Sequence, residues 1–327
     1  MQRKYYSLLL LLIPVFIFNA CQNDEYSIPE AKTELQNDCI LRSLGPNVVG
    51  LNIEFVYAMA LGSNIGKINS AQVEATIAGA SGTYLENRSF RTNSSGVDTP
   101  YTIGNPSSTT GTKTVVTFTK DTCAAALRYY YYIPEEARGK TVSFTFSAKA
   151  STGEEVSYEM GPYTIAKMDM KLSLVLSDNN LCYFSVADMI AYTAAEAATK
   201  ADKIDLVYLY RSITGITFAH ALASPANTEY LPGITLPSGV GNSTKFWKVY
   251  GLRDRHLANL QYGIYVDDID FQELDLTSAP NYGINMKAES GAWVETSDGK
   301  YRAYIYVNSV NNTAKTMTVS IKRYQMK

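Results

Sequence analysis

The chain has little of what most enzymes use. Its 327 residues include only two histidines, His220 and His256, two tryptophans and four cysteines. The usual general base is therefore nearly missing. No Gly-x-Ser-x-Gly elbow, His-Glu-x-x-His pair or phosphate-binding glycine loop occurs in it. That removes the best-marked routes to acyl transfer, zinc proteolysis and nucleotide chemistry. His220 stands in the apolar run Phe218-Ala219-His220-Ala221-Leu222, the setting of a core histidine, and His256 in the charged turn Arg253-Asp254-Arg255-His256. No cysteine spacing suits zinc, which favours close Cys-x-x-Cys pairs. An excess of one charge is lacking too: 31 acidic residues nearly cancel 29 basic ones, for a net charge of −2. Neither nucleic acid nor an anionic membrane face is an expected partner on electrostatic grounds. No cofactor and no enzymatic activity are expected.

What is present begins at the start of the chain. Arg3 and Lys4 precede an apolar stretch from Leu8 to Phe18, followed by Ala20 and Cys21. A basic start, a short apolar run and a small residue before the cut are the three parts of an export signal. About a dozen apolar residues are too few to span a bilayer as a helix, which needs roughly 20. Residues 1–20 are therefore read as a removable signal. Ala20-Cys21 resembles the lipobox of bacterial lipoproteins, which implies that the Cys21 thiol takes a diacylglyceryl group and becomes the new N-terminus. Each buried methylene contributes about 0.8 kcal/mol, so two or more chains would hold a soluble body to a membrane. Gln22-Asn23-Asp24-Glu25 resembles the acidic export tag of Bacteroidetes surface lipoproteins, which implies an outer-membrane protein facing the cell exterior. Residues 21–36 read as an acidic, polar tether.

Without the signal about 300 residues remain, enough for two domains of about 150 each. Tyrosine is heavily used, 25 residues, which suits strands better than helices. Residues 37–167 show about seven short strands separated by turn residues such as Asn93-Ser94-Ser95-Gly96 and Asn105-Pro106-Ser107-Ser108. Ile53, Phe55 and Tyr57 fall on one side of a strand, and Val142, Phe144 and Phe146 on one side of another. The four tyrosines Tyr129 to Tyr132 must point alternately in and out. Count and spacing predict an immunoglobulin-like β-sandwich. Residues 168–327 read as a second β-rich domain with one or two short helices. Thr193 with Glu196 forms a capping box before the alanine-rich run from Ala194. Thr217 to Gly241 reads as loop-rich, with Pro225, Pro232 and Pro237. Asp298-Gly299 between alternating runs marks a hairpin, and Thr316 to Tyr324 completes an antiparallel meander. Cys39 and Cys123 share the first domain and would either pair in an oxidising compartment or, with Cys182, remain buried free thiols.

Several segments together, namely the lipobox, Ile28-Pro29-Glu30, Arg42-Ser43-Leu44-Gly45-Pro46, the stretch from Ile133 to Lys140, Gly161-Pro162-Tyr163 and the stretch from Lys203 to Tyr208, resemble an uncharacterised Bacteroidetes outer-membrane lipoprotein family of about this length. The layout is similar to that of surface lipoproteins that bind glycans or act in adhesion. The resemblance implies a lipid-anchored binding protein, with polysaccharide or a surface protein as partner and an adhesive or structural subunit as the alternative role. It carries no chemistry with it.

Aromatic residues are the best ligand candidates, because a sugar's C–H face can lie on a flat ring. Trp247, in Phe246-Trp247-Lys248 beside a Gly/Ser/Asn loop, and Trp293, ahead of the Asp298-Gly299 hairpin, lead. Tyr84, Tyr101 and Tyr230 follow. The densest acidic run, Asp267 to Asp275, reads as a charged strand edge with Asp268, Asp270 and Gln272 on one face. It fails the calcium-loop pattern, since Glu273 stands where glycine is required.

Overall fold

The computed structural model describes residues 32–327. Cys21, the signal residues 1–20 and most of the tether lie outside the described residues. The chain is mainly β, with several antiparallel sheets. Among the described residues no helix is long and apolar enough to cross a membrane.

The first half contains β1 (Gln36–Leu41), β2 (Asn52–Ala60), β3 (Ile68–Ala75), β4 (Tyr84–Leu85), β5 (Arg88–Thr92), β6 (Asp98–Thr102), β7 (Ser108–Thr110), β8 (Lys113–Thr117), β9 (Ala124–Tyr132), β10 (Thr141–Ala150) and β11 (Glu155–Thr164). A four-stranded sheet, β1-β2-β9-β4, faces a five-stranded one, β11-β10-β3-β8-β7, and β5 and β6 form a separate hairpin. Alternation decides which side chains go inside. Ile53, Phe55 and Tyr57 of β2, Tyr129 and Tyr131 of β9, and Phe144 and Phe146 of β10 are all buried, while Tyr130 and Tyr132 point outward. The rings interlock edge to face: Tyr129 on Phe146 at 5.8 Å, and Tyr131 on Phe144 at 5.0 Å. Each such pair contributes roughly 0.5–1.5 kcal/mol beyond its area burial.

The second half contains β12 (Asp169–Ser177), β13 (Tyr183–Ser185), β14 (Ile190–Tyr192), helix α1 (Ala194–Ala198), β15 (Leu206–Ile213), β16 (Ile216–Ala223), β17 (Lys245–Tyr250), α2 (Arg255–Ala258), α3 (Asp268–Glu273), β18 (Tyr282–Gly283), β19 (Ser290–Glu295), β20 (Tyr301–Asn311) and β21 (Thr316–Gln325). Sheet β12-β21-β20-β19-β17 packs its inner face on sheet β14-β13-β15-β16-β18 through Phe246, Val294, Ile305, Val319 and Leu222. The capping box at Thr193 is formed: Glu196 N–H donates to the Thr193 hydroxyl, and Thr193 N–H to the Glu196 carboxylate.

Four expectations need correction. The polar tether was expected to run through residue 36, but Leu35 is buried and β1 starts at Gln36. The start of the segment from Thr217 is not loop: Ile216–Ala223 is strand β16, with Phe218, Ala221, Leu222 and Ala223 buried, while residues 224–241 are largely loop as expected. Three short α-helices occur among the described residues where one or two were expected. The acidic run is helix α3, and its carboxylates cap rather than edge it: Asp267 accepts from Ile269 N–H and Asp270 N–H, and Asp270 accepts from Asp267 N–H. As for the cysteines, Cys39, Cys123 and Cys182 are free thiols, two of them buried. Burial pushes Cys39 up to about 12 and Cys182 up to about 11.

A third apolar cluster joins the halves. Val48, Ala166 and Met168 meet Leu257, Val266, Phe271 and Tyr324 there. The Asp268 carboxylate accepts from Lys167 N–H at 2.7 Å and Met168 N–H at 3.1 Å. Arg138 donates to both carbonyls of that linker, Lys167 and Met168, at 2.9 Å each.

Candidate functional site

The outer face of the second domain's larger sheet carries one aromatic row. Register places Trp247 of β17 opposite Trp293 of β19, Trp293 opposite Tyr304 of β20, and Tyr304 opposite Lys322 of β21. Most of this row is covered. Phe271 of α3 stands edge-on to Trp293 at 5.6 Å and stacks on Tyr324 at 6.0 Å. Lys322 is fully buried; it donates to Asp254 at 2.7 Å and to the Val266 carbonyl at 2.8 Å. Burial lowers its pKa, against the pull of Asp254.

Trp247 lies where the cover ends. It sits on the edge strand and is 47% exposed. The chain after α3 returns beside it, because Phe246 N–H donates to the Pro280 carbonyl at 2.6 Å. Between them is a pocket of about 200 Å³ lined by Trp247, Asp275, Ser278, Ala279 and Pro280. Asp275 is held below the usual carboxylate range by the Thr277 side chain and then by Thr277 N–H, whose bond to Oδ1 is 2.9 Å long. At neutral pH the pocket thus offers an ionised acceptor and a serine hydroxyl beside a large flat ring. A site of this composition can stack an apolar ring face and bind hydroxyls at its rim.

The other candidates are distributed as follows. Trp293 is half-buried, gripped by Phe271 and by Tyr304 at 4.8 Å, and it backs Trp247 rather than facing solvent as Trp247 does. Tyr84 stacks on Tyr130 at 4.9 Å. Tyr101 lies under the Arg91 guanidinium, and Tyr230 stacks face to face on Tyr282. Apart from Trp247 and its cross-strand neighbour Trp293, no two of these rings are paired with each other. His220 is buried, with Tyr208 on Nδ1 and Asn312 on Nε2, each at 2.8 Å. Both ring nitrogens are therefore taken. His256 is pushed down to about 4, first by burial and then by Lys322, and its Nδ1 has no partner. Among the described residues no group of three His, Cys, Asp or Glu is placed to hold a metal ion.

Reading the sequence missed Asp275, Ser278 and Pro280 as Trp247's neighbours. The turn chemistry of Thr277-Ser278-Ala279-Pro280 marks a loop, but only the parallel contact of Phe246 with Asn281 brings that loop to Trp247.

Residues 32–165 match a domain of unknown function, DUF4466, and residues 166–326 match a second domain of unknown function, DUF8576. No curated protein matches the chain. The crystal structure of a DUF4466 family protein from Parabacteroides merdae is 50% identical, with a TM-score of 0.85, and the alignment covers 90% of this chain and 99% of that one. The major pilin subunit of Bacillus cereus aligns over 87% of this chain and 63% of its own at 8% identity and a TM-score of 0.28. A GH20 exo-β-N-acetylglucosaminidase from Vibrio harveyi aligns over 89% and 40% at 10% identity and a TM-score of 0.20. Neither of these two alignments carries an argument about fold or role. Half the residues identical over almost the whole length of the Parabacteroides protein is decisive, and the chain belongs to the DUF4466 family.

Proposed function

We propose that this chain is a lipid-anchored, non-enzymatic protein of the outer-membrane surface that binds glycan at Trp247. The anchor is Cys21, read from the lipobox, and the acidic residues after it direct the protein outward. The single observation that supports the ligand reading is the half-exposed Trp247 ring on an edge strand, beside a pocket bearing Asp275 and Ser278. A pyranose stacked on the ring would bury its C–H face and turn hydroxyls toward the Asp275 carboxylate. One such stacking contact with two hydrogen bonds implies weak binding, on the order of a millimolar Kd. Surface binding proteins offset weak sites by multivalency, and a membrane-tethered array does this without new contacts.

Affinity electrophoresis through a panel of neutral polysaccharides tests the reading. Retardation by at least one gel is expected, with its loss in Trp247→Ala and little change in unfolding temperature. Trp293→Ala is expected to lower stability as well as binding, because Phe271 and Tyr304 lose their contact. No retardation in any gel, together with oligomerisation or co-purification of a protein partner, would replace this reading by an adhesive or structural role. Mass spectrometry of the mature protein showing an unmodified Cys21 would overturn the anchor.

A further inference from the structure

A second cleft, of about 470 Å³, opens between the β13–β14 turn, the short helix Ala201–Lys203 and the β19–β20 hairpin. It shares no lining residue with the Trp247 pocket. Its volume falls within the roughly 300–1,000 Å³ range of small-molecule sites. Six charged side chains line it: Asp188, Asp202, Lys203, Asp205, Asp298 and Lys300.

The two lysines are already matched. Lys203 Nζ bonds both Asp188 oxygens, at 3.1 and 3.2 Å, and Asp188 also accepts from the Tyr192 hydroxyl at 2.8 Å. Lys300 Nζ lies 3.0 Å from Asp298. Asp205 differs from these. It is 3% exposed and accepts Val186 N–H at 2.7 Å, yet it makes no ion pair among the described residues. Burial, followed by the like charges of Asp298 and Asp188, pushes its carboxyl up to about 7, against the pull of the Val186 and Ala187 N–H groups. Asp202 is exposed at the rim and likewise makes no ion pair. A buried carboxylate without a cation is costly unless something compensates it. Neutral hydrogen-bonding groups stand beside it. Asn242 spends its amide N–H groups on the Asp202 and Ile204 carbonyls, which leaves its oxygen free to accept, and the Ser297 hydroxyl is at the mouth.

We propose that this cleft binds a small organic cation bearing hydroxyls, of the amino-sugar class, with Asp205 as its counter-charge. The ammonium group supplies the positive charge the lining lacks, Asp202 adds attraction at the rim, and Asn242 and Ser297 meet hydroxyls. A cation beside Asp205 favours its ionised form, so binding below neutral pH releases a proton from this carboxyl. The site is independent of the Trp247 reading and stands if that reading fails.

Titration calorimetry on Trp247→Ala, in which the other pocket has lost its stacking ring, tests the proposal, with D-glucosamine as the probe and N-acetylglucosamine as its neutral counterpart. Glucosamine is expected to bind, and its affinity to fall about tenfold per pH unit as pH is lowered from about 7 to 5.5, the limit for loss of one required charge. N-acetylglucosamine is expected not to bind in this cleft. Asp205→Asn retains the acceptor for Val186 N–H and abolishes the binding. Asp202→Asn, at an exposed position that tolerates change, weakens it several-fold. No binding of glucosamine at about 10 mM near neutral pH, well above the millimolar range of weak sites, overturns the proposal. So does equal binding of the two sugars, or binding that survives in Asp205→Asn.

Discussion

Two buried ionisable side chains pull the stability of this protein in opposite directions along the pH axis. The Asp205 carboxyl sits at about 7 in the folded chain, above its ordinary 3.8. Between those values the folded state holds a proton that the unfolded chain has released, so this residue lowers stability as pH rises from about 4 to 7. His256 sits at about 4, below its ordinary 6.5. There the unfolded chain holds the extra proton, so this residue lowers stability as pH falls from about 6.5 to 4. Over their shared window the two slopes oppose and largely cancel. Removing either one unmasks the other. Asp205→Asn is expected to show stability rising with pH between about 4.5 and 6.5, and His256→Phe is expected to show it falling, with the unsubstituted chain nearly flat between them. Urea midpoints at three pH values measure this. Three parallel curves would mean that neither residue is buried as described.

At the scale of single elements, caps decide more than composition does. The box Thr193/Glu196 is legible in sequence because the alanines after it want helix and nothing competes. Asp267 and Asp270 make the same box, yet the segment reads as a strand edge. Its six residues are too few to show a helical period, and Ile269 and Phe271 alternate with polar neighbours as strand residues do. The deciding force is tertiary: Phe271 seats between Trp293 and Tyr324, and no local pattern announces that. Strand β16 was hidden for a related reason, since a strand covered on both faces loses its alternation. The first sandwich was the more readable half, because Ile53, Phe55 and Tyr57 alternate with partly exposed neighbours and keep their period. Of the candidate site, Trp247 was visible in sequence, while its pocket was not. Asp267→Ala tests the element. It should cost about 1 kcal/mol, as loss of an N-cap does. It should also shift tryptophan emission to the red as Phe271 lifts from Trp293. A blue shift or unchanged emission would show that α3 is held by packing alone.

At the scale of the whole molecule, the question is whether two sandwiches unfold as one. The joining cluster is small but specific. Asp268 holds two linker N–H groups, Arg138 holds two linker carbonyls, and Val48 and Met168 are fully buried against the second half. Gly45 of the first half packs against Tyr265 of the second. Its φ is +84°, where a side chain costs roughly 1–3 kcal/mol in strain. A Cβ built there would meet the Tyr265 ring at 2.5 Å. Tyr265 in turn lies beside His256 at 4.8 Å and under Arg255 and Lys322. A side chain at position 45 therefore pushes on the ring that covers the buried Lys322–Asp254 pair, so the damage should spread into the second domain while the first keeps its own core. Gly45→Val is expected to split one calorimetric transition into two, with the lower one belonging to residues 166–326, and to open the linker between Ala166 and Asp169 to protease. Asp268→Ala, which loosens the same linker without strain, should give the milder form of both effects. If Gly45→Val melts as a single transition at the original temperature, the two halves are not coupled through this contact.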